Sequence, residues 1–208
     1  MSITTGGRRY LAWLGTESGY QPLRADLGTV TGYTEISRHR RRDVVQITLG
    51  TGYVVRNQLR AALADRGMDY QTVTEIPFEI ELVGGGSAWH MFNGCSSLTH
   101  APAMDTSSVT SMGNMFYNCT SLTHAPAMDT SSVTSMNQMF QGCSSLTYVP
   151  DMDTSGVTSM VYMFRDCSSL TDGHVRLIGR HPNVNTKNMI LGSGLTSEPF
   201  FDTNGNPI

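Results

Sequence analysis

Four cysteines and a pair of histidines are the residues of this chain whose types and spacing can do chemistry. Cys95, Cys119, Cys143 and Cys167 stand 24 residues apart. Zinc sites draw on close pairs such as C-x-x-C, and none is present. Stacking equivalent segments brings neighbouring cysteines within disulfide distance, but with their side chains parallel instead of facing. A ladder of buried free thiols acting as small hydrophobes fits this spacing better. His100 and His124 repeat at the same interval, with Tyr148 third. Two stacked histidines can hold a metal, yet no acidic residue or third histidine shares the row, so a surface recognition row is the reading taken. Asp105, Asp129 and Asp153 also recur. A calcium ladder needs a glycine-rich nonapeptide, which is missing. Asx-type turns, in which each carboxylate accepts from nearby backbone N–H groups, account for these residues. No G-x-S-x-G, H-E-x-x-H or Walker-type segment occurs. The expectation is a protein that is not an enzyme, with no catalytic residues, no metal and no cofactor.

The elements that position these residues follow from the repeat itself. Phe92, Phe116, Phe140 and Phe164 share the 24-residue interval, as do Leu98, Leu122, Leu146 and Leu170. Together with the four cysteines they form the expected repeat core. The shared pattern is M-F-x-x-C-x-S-L-T-x-x-P-x-M-D-T-S-x-V-T-S-M-x-x. Met112, Met115, Phe116 and Cys119 stand at i, i+3, i+4 and i+7, which predicts an α-helix of about two turns with Ser111 as its N-cap. Leu122 to Met128 contains a proline and reads as a short strand. One unit cannot bury its own apolar face, whereas stacked units bury a continuous one. The eleven methionines from Met91 to Met189 read as core filler.

The M-F-x-x-C-x-S-L-T and D-T-S-x-V-T-S-M blocks resemble the BspA-type leucine-rich repeat of bacterial surface proteins, over about residues 85–170. Members of that family usually have slightly longer units with a second strand leucine. Here Ala101, Ala125 and Val149 stand near that place, followed by proline. The resemblance implies a solenoid used for adhesion or recognition and names no ligand.

The fold expected is a small α+β domain over 1–84, followed by a short α/β leucine-rich-repeat-like solenoid with 24-residue coils over 85–196 and a tail over 197–208. The solenoid has four clear coils and a degenerate C-terminal cap, in which 183–190 is a worn copy of the unit. Within the first part, Val44 to Thr48 and Thr72 to Val83 read as strand, and Asn57 to Arg66 as helix before Gly67.

Positions that vary between copies mark the outer surface. They give a recognition set of His100, His124, Tyr148, Asp151, Tyr117, Gln141, Tyr162 and Arg165. Trp89/Gly113/Asn137/Val161 and His90/Asn114/Gln138/Tyr162 vary likewise. Unused surface would drift in the same way.

Residues 1–84 hold ten basic and nine acidic residues, and the remainder four and eight. That balance argues against nucleic acid as a partner. The cluster Arg38-His39-Arg40-Arg41-Arg42 reads as a solvated loop. No apolar run is long enough for a membrane span, and no secretory leader is read at the start. A surface-type repeat without a leader suggests a bacteriophage virion protein of the tail, baseplate or head surface. It would attach to other virion proteins through 1–84 and meet a host cell-surface protein or glycan through the solenoid, as a homo-oligomer within the assembly. A purely structural decoration or assembly protein, and a BspA-like module on a bacterial cell surface, are the alternatives.

Overall fold

A computed structural model describes residues 43–51 and 53–208, and the backbone alone of 2–5, 8–11, 13–16 and 19–22. The chain forms two compact units, Met1–Arg40 and Arg41–Ile208. In the first, β1 (Ser2–Thr5) pairs antiparallel with β2 (Arg8–Leu11), and β3 (Trp13–Thr16) with β4 (Gly19–Pro22). The cluster Arg38 to Arg42 lies outside the described residues.

The second unit opens with a β-α-β motif. Strand β5 (Val44–Thr48) lies parallel to β6 (Glu79–Val83), and α1 (Val54–Ala64) forms the crossover that parallel strands require. Val55, Leu59, Ala62 and Leu63 form the buried stripe of the helix. Gln58 fastens it to the strand: its amide accepts from Thr48 N–H and donates to Thr48 O, both at 2.9 Å. Gly67, just beyond the helix, has φ +71°, a conformation in which a Cβ is strained.

The compact boundary falls at Arg40/Arg41, not at 84/85. Residues 43–84 pack with the repeats because the chain from 71 onward already makes the pairings that later coils make. Thr99 donates backbone N–H and hydroxyl to Thr74 O, as Thr123 does to Thr99 O and Thr147 to Thr123 O. Residues 71–84 are thus a partial coil, with no sequence copy of the unit to reveal it. Tyr70 adds a bond from its O–H to Met91 O at 2.8 Å.

From 85 onward the chain winds in successive coils. Strand β7 (Gly86–Ser87) pairs parallel with β8 (Val109–Ser111), and β9 (Met152–Asp153), β10 (Leu177–Ile178) and β11 (Phe200–Phe201) pair parallel in the order β11-β10-β9. Single bridges Ser111↔Ser135↔Ser159↔Asn185 and His100↔His124↔Tyr148 complete the register. The row His100, His124 and Tyr148 does not extend into a longer ladder, because Pro102, Pro126 and Pro150 two residues on lack the N–H it needs.

The expected helix over Met112–Cys119 does not form, and the equivalent segments are also tight turns. Alternate amides leave the segment and donate to the following coil: Asn114 to Asn137 O, Phe116 to Met139 O and Asn118 to Gln141 O, at 2.8–2.9 Å. The amides between them close local turns, such as Met115 to Met112 O and Cys119 to Phe116 O. Asn114 and Asn118 sit at φ +55° and +56°, which no α-helix accommodates.

Inside the coils the phenylalanines stack with parallel planes, at centroid separations of 5.1, 5.4 and 5.8 Å, and all four are fully buried. Leu98, Leu122, Leu146 and Leu170 are buried beside them. Each inner cysteine thiol donates to the phenylalanine carbonyl of the preceding coil: Cys119 to Phe92, Cys143 to Phe116 and Cys167 to Phe140, at 3.0–3.1 Å. The four cysteines are free. The D-T-S corner has two tasks. Its aspartates accept from the amide two residues on. Its threonines are buried, Thr106 and Thr130 donating to Asp129 O and Asp153 O of the next coil at 2.9 and 2.8 Å.

Candidate recognition surface

The histidine row grows directly out of this scaffold. Leu98, Leu122 and Leu146 are anchored inside, and two residues later the chain emerges at His100, His124 and Tyr148, all exposed. Parallel bridging sets one row member per coil. The His100 and His124 rings lie 6.4 Å apart with planes 8° from parallel, and Tyr148 follows at 6.0 Å, tilted by 47°. Thr99 and Thr123 hold the histidines from the side, each Oγ1 lying 3.1 Å from Nδ1 of the next residue. That contact leaves Nε2 of each ring as the atom a partner can meet.

Ring centres 6.4 Å apart in parallel planes do not converge on a single ion, which needs both nitrogens at about 2.1 Å. Among the described residues no group of three His, Cys, Asp or Glu converges on a point. The cysteines are turned inward, and burial pushes Cys95 and Cys167 up to about 12, with Cys119 and Cys143 also well above the ordinary thiol value. Thiols held protonated in this way are poor nucleophiles and poor metal ligands.

The remaining members of the recognition set lie elsewhere along the coil. Asp151 is exposed and pairs with Arg176 at 3.2 Å. Tyr117, Gln141, Tyr162 and Arg165 are half-buried on the Met-Phe turn. Gln141 accepts from Gln138 at 2.9 Å, and the Arg165 guanidinium lies 5.1 Å from the Tyr162 ring centre while contacting Asp166 at 3.3 Å. The set therefore divides between the exposed row His100, His124 and Tyr148 with Asp151 beyond it, and the half-buried residues Tyr117, Gln141, Tyr162 and Arg165 of the Met-Phe turns.

A second cluster joins Trp89 and His90 to residues of α1. Tyr53 at the start of α1 packs on Trp89 and His90 of the first coil, at 6.1 and 4.9 Å between ring centres. Arg56 lies over Tyr53 and Tyr70. Burial and the Arg56 charge both hold His90 below the usual imidazole value. The indole lies against Gly113, where a Cβ would come within 2.9 Å of Trp89 Cδ1. The signal was the pairing of Trp and Gly in one row. The partner residues on α1 carried none.

Among the described residues no helix is long and apolar enough to cross a membrane. A family model described as "Mycoplasma protein of unknown function, DUF285" matches residues 87–192. No curated protein matches, and no solved structure matches.

Proposed function

The chain belongs to the DUF285 family, and from that premise we propose that it is a non-enzymatic recognition protein, a leucine-rich-repeat-like solenoid of the BspA type behind a small α+β region. The observation that carries this reading is the row His100, His124 and Tyr148. Its rings are exposed at 6.4 and 6.0 Å intervals, one per coil, above fully buried leucines. Such a comb repeats one polar-aromatic contact along a ligand that is itself extended, a glycan chain or an extended peptide.

The proposal includes placement on a bacteriophage virion, with the row facing a host-surface protein or glycan. A bacterial cell surface is the alternative location. The polar and aromatic character of the row favours recognition over purely structural packing, which would place apolar residues there.

The test is binding of labelled protein to intact bacterial cells and to a glycan array, for the parent chain and for the combined variant His100→Ala, His124→Ala, Tyr148→Ala. These side chains are exposed, so the melting temperature should hold, while binding falls at least about tenfold, the loss of roughly 1.4 kcal/mol. Unchanged binding by the triple variant would remove the row from the function. Electron microscopy of particles carrying the chain would decide its location.

A further inference from the structure

The coil-to-coil bonding stops at one end of the stack. In each of four junctions, three alternate amides of the Met-Phe turn donate to carbonyls of the next coil. Those of His90, Phe92 and Gly94 begin the series, and those of Tyr162, Phe164 and Asp166 end it, on Lys187, Met189 and Leu191. The fifth turn repeats the same backbone. Asn188 and Gly192 have φ +54° and +74°, beside +58° and +60° at Tyr162 and Asp166. Its corresponding donors are the amides of Asn188, Ile190 and Gly192. Among the described residues, none of the three has an acceptor.

The C-terminal tail closes only the strand side of this end. There β11 pairs with β10, Phe200 is buried, and Ile208 N–H donates back to Phe200 O. On the turn side Leu191 is 50% exposed, at a position where the earlier coils carry Asn93, Tyr117, Gln141 and Arg165. Ile208, whose N–H reaches back to that outermost strand, is 57% exposed. The opposite end of the stack differs. There Ser87 O accepts from Gly50 N–H, and Met91 O from the Tyr70 hydroxyl.

We propose that the face formed by Asn188, Ile190, Leu191 and Gly192 is an interaction edge that takes a turn of the same M-F-x-x-C type from another polypeptide. Continuity argues the occupant: the same donor row receives such a turn at four junctions within the molecule. A row of unpaired backbone N–H groups flanked by apolar side chains is the template on which chains pair in trans. Because the opposite end is closed by residues 50 and 70, a second copy stacked head to tail is not the occupant. The partner is a repeat-bearing chain whose first coil is open. This edge is separate from the histidine row and does not depend on it.

The probe is a synthetic peptide of residues 134–146, added at millimolar concentration to the full, isotope-labelled chain, with amide exchange read residue by residue. In the free chain the Asn188, Ile190 and Gly192 amides should exchange freely, while Tyr162, Phe164 and Asp166 are protected. The peptide should slow the three open amides by about tenfold, and a scrambled peptide should not. Leu191→Asp, which places a charge on the edge, should abolish the slowing without changing the melting temperature. Protection already present in the free chain would overturn the proposal. So would an absence of slowing with the peptide, or slowing that persists in Leu191→Asp.

Discussion

At the residue scale, the phenylalanine, cysteine and aspartate rows each carry a measurable consequence. Phe140 has a ring on both sides, at 5.4 and 5.8 Å, and no exposure. Truncation leaves a cavity between two coils, so Phe140→Ala should cost about 3–5 kcal/mol in chemical denaturation. The buried thiols should resist alkylation at pH 8 in the native protein, and all four should react in denaturant. Ready labelling of the folded chain would contradict that burial. Asp105 and Asp129 lie below the usual carboxylate range because the Ser107 and Ser131 hydroxyls, then their amides, donate to them. A depressed folded-state value adds stability above the unfolded value, and this is lost as pH falls through the folded one. Stability should therefore decline from about pH 4 downward, and Asp129→Asn should flatten the decline. The aspartate corners were legible in the sequence, because Asp followed by Ser at i+2 is an Asx-turn signature. The buried Thr106 and Thr130 were not. Their acceptors lie 23 residues away, and no local pattern marks them.

At the element scale, the strand Val44–Thr48 was legible to the residue, and α1 to within a turn, because each carries its own periodicity. Hydrophobic spacing does not distinguish the Met-Phe turn from a helix, because apolar residues at i, i+3, i+4 and i+7 fit both a helix and a chain of tight turns. The spacing of residues that tolerate positive φ separates the two: Gly94, Asn114, Asn118, Gly142, Asn188 and Gly192 all fall at the left-handed positions. Gly142 is the sharpest test. Its φ is +77°, and a Cβ there would come within 2.1 Å of Asn118 Oδ1. Gly142→Ala should destabilise the chain by about 1–2 kcal/mol, whereas in an α-helix the same change stabilises. The direction of the shift in the denaturation midpoint decides between the two backbones.

At the scale of the whole molecule, stacking makes stability close to a sum of coil and interface terms, since each coil touches only its neighbours. Residues 95–112 and 119–136 differ only at Ser96/Thr120, so one unit can replace another. The partial coil at 71–84 lay beyond sequence reading because it keeps the backbone contacts of a coil without its side-chain pattern. The stacked coil is tested most directly by thermal unfolding of two deletion variants beside the parent. Removing Cys95–Asn118, 24 residues, rejoins Gly94 to Cys119 in register; removing Cys95–Asn114, 20 residues, does not. The first variant should melt cooperatively at a somewhat lower temperature, while the second should have no cooperative transition. Two variants that melt alike, or unfold alike, would contradict the stacked 24-residue coil.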